Sequence, residues 1–350
     1  MPSNLKQKPR PRNKILDGKK RKNHNQQAVL VLEISCRRFA MMTAAVNTFQ
    51  GAFMNENLIF QETPDLVHPY LFIGYRGWLN AGELGTGSIE YLRRKLNARK
   101  FAAIDPGHFY IGQVPGFDSA QIMRPQTVVE GGLIKSLEEP ANEFFYWQSG
   151  GENDLILFTG FEPNVAWPEY TSAILSMAKR CNVCRIYTLG GVFDQVPHTR
   201  ETSVYAVLSR PEMKREFRAF PLLNYNGPCS FSTLLVHHAG RAGMEAASIV
   251  ARVPPYIQTF HEKIACDLLE KVFARTSLHV DFSDLRKVGN TLAELMDNDF
   301  RQNKTALAQL RKLEEMYDAA LIQGYGYKEV NVDELMQEML DTKMSGKKPH

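Results

Sequence analysis

The 350-residue chain lacks the features by which several large classes of protein are recognised. It has five cysteines and a single CxxC pair, Cys181 and Cys184, which excludes a disulfide scaffold and leaves a zinc site incomplete. It contains no P-loop, no GxSxG elbow and no HExxH motif, so common signatures of nucleotide binding, serine hydrolysis and zinc proteolysis are missing. No apolar run reaches the roughly 20 residues that a membrane-spanning helix needs. We therefore expect a cytoplasmic protein with no cofactor, no metal and no membrane contact.

The chain also carries little net charge once its N-terminal segment is set aside. The formal net charge is +4, but residues 1–26 alone hold nine basic residues and one acidic residue. The remaining residues hold 33 basic and 37 acidic side chains, so they are mildly acidic. A block of like charge mixed with Pro, Asn and Gln is typical of a solvated, disordered arm. We predict that residues 1–65 form a basic, disordered extension, and we do not expect nucleic-acid binding to be the function.

An apolar stretch at residues 28–36 imitates a signal sequence. Glu33 interrupts it, so no long apolar region remains for a secretory signal. A true translation start at Met41, Met42 or Met54 is an alternative that the sequence leaves open.

From residue 66 to residue 280 the sequence has the pattern of an α/β domain. The short apolar run at residues 71–74 ends in glycine, and those at 154–159 and 185–189 are followed directly by glycine, as buried strands are. Segments with apolar residues at helical spacing follow the first two runs. Strands that alternate with helices predict a largely parallel sheet with helices on both faces.

Residues 281–350 have a different, helical pattern. Apolar residues recur at helical spacing in two stripes: Leu285, Val288, Leu292 and Leu295, then Leu307, Leu310 and Leu313. We predict a helical appendage that packs on the domain or on a neighbouring subunit. A further short helix at about residues 333–340 and a loose tail from residue 343 complete the predicted organisation.

Polar side chains follow several of the predicted strands. In an open α/β sheet, ligands bind outside the carboxyl ends of the strands, and the segments 74–82, 160–164 and 190–200 should share that edge. They bring six side chains toward one predicted site, here called the candidate crevice: Arg76, Asn80, Glu162, Asp194, His198 and Arg200. An arginine beside a helix N-terminus suits an anionic group, and a carboxylate near a histidine can do acid–base chemistry.

Each of these residues also has a structural interpretation. Asn80 and Glu83 have the spacing of a helix capping box. Glu162 can pair with an arginine and hold loops together, and His198 follows a proline in a turn, where histidine is more often structural than catalytic. We favour the structural interpretation for each residue taken alone, and the catalytic one stays open for the cluster. The adjacent His237 and His238 point in different directions on a helix, so they form no metal pair.

Six short motifs in this order resemble a known family. They are 74–82 (GYRGWLNAG), 160–163 (GFEP), 188–191 (TLGG), 197–200 (PHTR), 226–228 (NGP) and 253–256 (VPPY). Together they resemble the proteasome assembly chaperone family of the second-chaperone type, in its bacterial and archaeal branch. The resemblance covers roughly residues 66–275, and the co-occurrence of six motifs is far more specific than any one of them.

The resemblance implies an α/β fold like that of nucleoside phosphorylases, oligomers that are often trimers, and no established catalytic activity. The resemblance also implies that relatives of this chain have a role in assembling proteasome rings. Relatives that engage the proteasome can end in a hydrophobic–Tyr–any tripeptide, whereas this sequence ends in Lys348, Pro349 and His350. A proteasome-like partner is therefore expected by analogy only.

Two functional hypotheses follow from these patterns. The leading one is a non-enzymatic, oligomeric binding or assembly protein that recognises a protein partner. The alternative is a nucleoside phosphorylase- or hydrolase-like enzyme that acts on a small anionic or nucleoside ligand in the candidate crevice.

Overall fold

A computed structural model describes residues 55–111 and 125–322 of the chain. The basic segment at residues 1–26, the short helix predicted at 333–340 and the tail from 343 lie outside the described residues. No helix in the described ranges combines the length and the apolarity that crossing a membrane requires.

The described residues contain ten strands and six helices. The strands are Leu58–Phe60 (β1), Tyr70–Arg76 (β2), Arg99–Ile104 (β3), Gln126–Glu130 (β4), Leu133–Glu138 (β5), Asn142–Trp147 (β6), Leu155–Phe161 (β7), Arg185–Phe193 (β8), Val204–Leu208 (β9) and Glu245–Val253 (β10). The helices are Leu84–Lys95 (α1), Trp167–Arg180 (α2), Phe231–Arg241 (α3), Glu262–Phe273 (α4), Ser283–Gln302 (α5) and Lys304–Ile322 (α6), with 3-10 turns at Ala81–Glu83 and Pro211–Arg215.

Eight strands form one mixed sheet in the order β1-β3-β6-β7-β2-β8-β10-β9. The four central strands, β7, β2, β8 and β10, are parallel, as the alternation of strands and helices predicted. The flanking pairs are antiparallel, so the prediction of a largely parallel sheet holds only for the centre. The physical reason lies in the connections: residues 148–154 between β6 and β7 are too few for the crossover that parallel strands need.

Helices cover both faces of the sheet, as predicted, and two apolar cores result. Successive residues of β2 point to opposite faces, so Phe72 packs with α1 and α4 while Leu71 and Ile73 pack with α2 and α3. All three side chains are completely buried. Continuous apolar runs in the central strands are the consequence of this double coverage.

Strand β1 lies inside the segment that the sequence predicted to be a disordered extension. Leu58 pairs with Ile104 and Phe60 with Ala102, which makes β1 the edge strand of the sheet. The Phe60 ring lies under the guanidinium of Arg180, with 3.9 Å between the carbon of the group and the ring centroid. In a strand of three residues, the alternation of apolar and polar residues is too short to be recognised in the sequence.

The hairpin formed by β4 and β5 is a separate two-stranded sheet. Its register places Val129 opposite Ile134 and Thr127 opposite Leu137, so these residues share one face. Their apolar members are strongly exposed, Ile134 by 71%. An isolated two-stranded hairpin is marginally stable in water, so this exposed surface requires an explanation.

Helices α5 and α6 form the described part of the predicted helical appendage. Helix α5 packs closely on α4, because a Cβ at Gly289 would lie 2.4 Å from the backbone nitrogen of Lys263. Asp284 accepts hydrogen bonds from Tyr91 and Lys95 of α1 at 2.8 and 2.9 Å. The appendage thus contacts the α/β body of the same chain.

Candidate functional site

The structure places the six candidate residues at the carboxyl edge of the parallel strands, in two groups. Arg76, Asn80 and Glu162 lie where β2 and β7 end, and Asp194, His198 and Arg200 lie in the segment that follows β8. Each group makes its own set of contacts.

Glu162 connects two loops to the start of a helix. Its Oε2 accepts a hydrogen bond from the backbone N–H of Trp78 at 2.6 Å, and its Oε1 accepts one from the backbone N–H of Phe231 at 2.8 Å. Gly77 makes room for this side chain, since a Cβ there would lie 2.3 Å from Oε2. Both carboxylate oxygens are thus occupied by backbone donors, so Glu162 holds loops together, but its described partners are backbone N–H groups and not the arginine that the sequence analysis predicted.

Asn80 binds the first turn of helix α1 but is not its N-cap residue, contrary to the prediction. Its Oδ1 accepts from the N–H of Thr86 at 3.1 Å, and its Nδ2 donates to Thr86 Oγ1 at 3.0 Å. The capping box with Glu83 is wrong, because Glu83 has a left-handed backbone (φ 52°) and α1 begins only at the next residue. A residue other than glycine at positive φ is strained, and no local sequence signal marks it.

Arg76 is the most accessible of the six candidates. It is exposed, and its guanidinium lies over the ring of Phe161, 5.2 Å from the centroid. Within residues 55–111 and 125–322 no acidic side chain forms an ion pair with it. Arg76 therefore keeps its hydrogen-bonding capacity for a ligand or a partner.

Asp194 ties the ends of two central strands together. Its Oδ2 accepts from Arg252 Nε at 2.6 Å, and its Oδ1 accepts from the backbone N–H of Gln195 at 2.7 Å. Arg252 belongs to β10, and Asp194 follows β8, so the ion pair joins the carboxyl ends of both strands. Arg252 was not a candidate, since nothing in its local sequence distinguishes it from other strand arginines.

His198 is a buried connector between the body and α5. Its side chain is only 3% exposed and its Nε2 lies 3.1 Å from Asp297 Oδ1. Tyr256 Oη accepts from the backbone N–H of His198 at 3.0 Å and lies 2.8 Å from Nδ1. The tautomer that suits both contacts has the hydroxyl proton directed to Nδ1 and Nε2–H donating to Asp297. Burial lowers the pKa of His198 against the opposing effect of Asp297, so the imidazole stays neutral near pH 7.

Arg200 connects the same segment to α6. Its Nε and Nη2 donate to the two carboxylate oxygens of Asp318 at 2.9 and 2.7 Å, and its Nη1 donates to Glu314 at 3.2 Å. Arg200 holds the pKa of Asp318 below its usual range, as expected for a bidentate pair. Thr199 adds a hydrogen bond from its hydroxyl to Glu314. The segment 197–200 thus anchors both helices of the appendage.

The space beside this anchor is small. A cavity of about 20 Å³ is lined by residues that include His198, Arg200, Arg252 and His261. It has room for about one water molecule and not for a nucleoside. Both ring nitrogens of the buried His261 lack a hydrogen-bond partner in the described part of the chain, and burial lowers its pKa to about 4. The sequence analysis missed His261 because one histidine before a helix carries no recognisable pattern.

Comparisons with known proteins agree with this architecture. Residues 75–298, more than half of the chain, match the model of the PAC2 family. No curated protein matches the chain. A crystal structure of a Mycobacterium tuberculosis protein of unknown function is similar over 78% of this chain and 92% of its own, with a TM-score of 0.68 and 21% identity.

Two further similar structures have functional descriptions of their own. A Mycobacterium tuberculosis proteasome-assembly chaperone homologue aligns with 67% of this chain and 94% of its own, with a TM-score of 0.59 and 23% identity. Pyrococcus furiosus PbaB, an archaeal proteasome activator, aligns with 69% of this chain and 97% of its own, with a TM-score of 0.52 and 21% identity. At such identities these likenesses establish the fold. The family match confirms the resemblance predicted from the six motifs: the chain belongs to the PAC2 family.

Proposed function

We propose that this chain is a non-enzymatic, chaperone-like protein that assembles as a homo-oligomer and binds a protein partner. The state of the candidate crevice carries the proposal. Five of its six side chains, all except Arg76, form polar contacts with other parts of the same chain. Side chains engaged in this way hold loops and helices in place, which supports a structural role for the crevice.

The β4–β5 hairpin supports the protein-binding part of the proposal. Val129, Ile134 and Leu137, which share one face of the hairpin, are between 56% and 71% exposed. Soluble proteins rarely expose contiguous apolar patches of this kind unless the patch contacts another protein or a ligand. A trimer, the arrangement that the family resemblance implies, would provide neighbours for such a surface.

The relatives suggest which partner to test first. Because two proteins of this fold are described as a proteasome-assembly chaperone homologue and a proteasome activator, a proteasome-like complex is the first candidate. The proposal of a proteasome-like partner for this chain rests on analogy with these two proteins.

A pull-down from native lysate of the source cells tests the function. The double variant Ile134→Ser/Leu137→Ser removes the two most exposed apolar side chains of that face of the hairpin, and Val67→Ser/Leu321→Ser is a control with similarly exposed apolar side chains elsewhere. We expect the wild type and the control to recover a stoichiometric partner and the hairpin variant to lose it. Light scattering should give three times the 39.8 kDa chain mass. Recovery of the chain alone from every lysate would contradict the function.

The alternative, a nucleoside phosphorylase- or hydrolase-like enzyme acting in the candidate crevice, has its own test. Thermal shift is measured with nucleosides, nucleotides and phosphate on the wild type and on Arg76→Ala. Arg76 is the variant of choice because it is the candidate whose guanidinium is free of ion pairs in the described chain. Stabilisation by one of these compounds that disappears in Arg76→Ala would replace the assembly proposal with the enzyme alternative.

A further inference from the structure

A second polar site lies at the opposite edge of the sheet from the candidate crevice. A surface depression of about 490 Å³ is lined by Glu212, Arg215, Glu216, Arg218 and Arg275. It lies near the amino ends of β8 and β10, because Glu216 is bound there by Arg185, the first residue of β8. None of these residues took part in the contacts of the candidate crevice.

The segment that carries most of these side chains is rigidly held. Met213, Phe217 and Phe220 point into the core and are at most 4% exposed. Arg215 and Arg218 lie between these apolar anchors and are exposed. Their guanidinium groups are therefore presented on a fixed backbone, which lowers the entropy cost of binding.

The depression has an excess of positive charge. Three arginines and two glutamates line it, a net charge of +1, and Glu216 accepts hydrogen bonds of 2.5 and 2.9 Å from Arg185, which also pairs with Glu245. Arg215 and Arg218 form no ion pair within the described ranges. Two uncompensated guanidinium groups in a body that is mildly acidic overall attract an anion.

Arg275 adds a third, poorly satisfied guanidinium. It lies over the ring of Phe220, 5.5 Å from the centroid, and its Nη1 donates to the carbonyl of Ala274 at 3.1 Å. Its Nε is buried and has no hydrogen-bond partner in the described chain. The group has thus lost part of its hydration without full replacement, and the charge of an anion bound in the depression would stabilise the guanidinium.

The chemistry of the lining points to the class of ligand. Small-molecule sites bury most of the ligand among apolar side chains, and this lining consists of charged side chains on an open surface. Separate, outward-pointing arginines suit carboxylates spaced along an extended chain, which each guanidinium can bind in a bidentate manner. We propose that the depression binds an acidic segment of a partner protein; this inference rests on the proposed function, because it names the chemistry of the partner.

Fluorescence anisotropy with labelled hexaglutamate on the purified full chain tests the proposal. The charge-reversal variant Arg215→Glu/Arg218→Glu is compared with Arg241→Glu/Arg311→Glu, which changes the net charge equally at exposed arginines elsewhere. We expect the first variant to weaken binding by about tenfold or more and the control by less than about twofold, with affinity falling as salt rises. Circular dichroism verifies that both variants fold.

Several outcomes would overturn the assignment. No binding by the wild type, equal weakening in both variants, or displacement by an equal concentration of inorganic phosphate would each exclude a peptide-specific site. Tighter binding of hexauridylate than of hexaglutamate would assign the depression to nucleic acid. The peptide measurement needs no native partner, so its failure is distinct from a failed pull-down.

Discussion

Replacing Glu162 tests whether the candidate crevice is structural. The carboxylate accepts two backbone N–H groups, from Trp78 at 2.6 Å and from Phe231 at 2.8 Å, and Phe231 is completely buried. Glu162→Gln keeps one acceptor oxygen and places an amide NH₂ against the second N–H donor. Glu162→Ala removes both acceptors and leaves a cavity beside Gly77.

The magnitude follows from these contacts. A hydrogen bond to a charged group contributes about 1.5–3 kcal/mol, and leaving a buried donor unpaired costs a similar amount. Trp78 is 46% exposed, so water can replace the acceptor of its N–H. We therefore expect Glu162→Gln to lower the free energy of unfolding by about 2 kcal/mol and Glu162→Ala by about 3 kcal/mol.

Urea unfolding followed by tryptophan fluorescence measures these differences. Glu315→Gln, at an exposed glutamate of α6 with no ion pair in the described chain, is the matched control and should change stability by less than about 0.5 kcal/mol. If Glu162→Gln unfolds at the wild-type urea concentration, the carboxylate does not hold the loops. The structural interpretation of the candidate crevice would then be refuted, because its central contact would contribute nothing.

Three further predictions concern the rest of this edge. Gly74→Ala should destabilise the chain by about 3 kcal/mol in urea unfolding, because its Cβ would meet the carbonyl of Gly85; unchanged stability would contradict the close approach of α1 to β2. The folded-state pKa of His261 is about 4, below the usual 6.5, so its contribution is complete above pH 6.5 and is lost as pH falls toward 4. Stability should fall by about 2 kcal/mol between pH 7 and pH 5, and His261→Gln should flatten that part of the urea profile; an equally steep profile in the variant would exclude His261 as the cause. Arg200→Ala removes the ion pair with Asp318 and should speed amide hydrogen exchange in α6 several-fold while exchange in the central strands stays unchanged; unchanged exchange in α6 would show that the pair does not anchor that helix.

Part of the fold could be predicted because its signals are local. The segments that predicted β2, β7 and β8 are short apolar runs that end in glycine or are followed by it, and the stripe from Leu285 to Leu295 has helical spacing. These patterns identified β2, β7, β8 and α5 without reference to other parts of the chain. They also placed the candidate residues at the carboxyl edge, since that placement follows from strand direction alone.

The remaining features depend on contacts between distant segments. The left-handed backbone of Glu83, the pairing of Leu58 with Ile104 and the antiparallel flanks are set by tertiary packing and loop length. The hydrogen-bond partners of the candidate residues could not be predicted for the same reason. The sequence showed Glu162 and His198 but not that their partners are Trp78, Phe231 and Asp297, which lie 69 to 99 residues away.

The contacts give a physical reason why five of the six family motifs, all except 226–228, occur together. Gly77 of the first motif leaves space for Glu162 of the second, and Tyr256 of the last motif binds His198 of the fourth. A Cβ at Gly190 in the third motif would lie 2.5 Å from the carbonyl of Leu79 in the first. A change in one motif would thus leave a clash, a void or an unpaired donor in another. The motifs therefore mark an interlocked edge of the sheet, so the partner-binding chemistry of this chain is expected outside them, on the β4–β5 hairpin and in the arginine-lined depression.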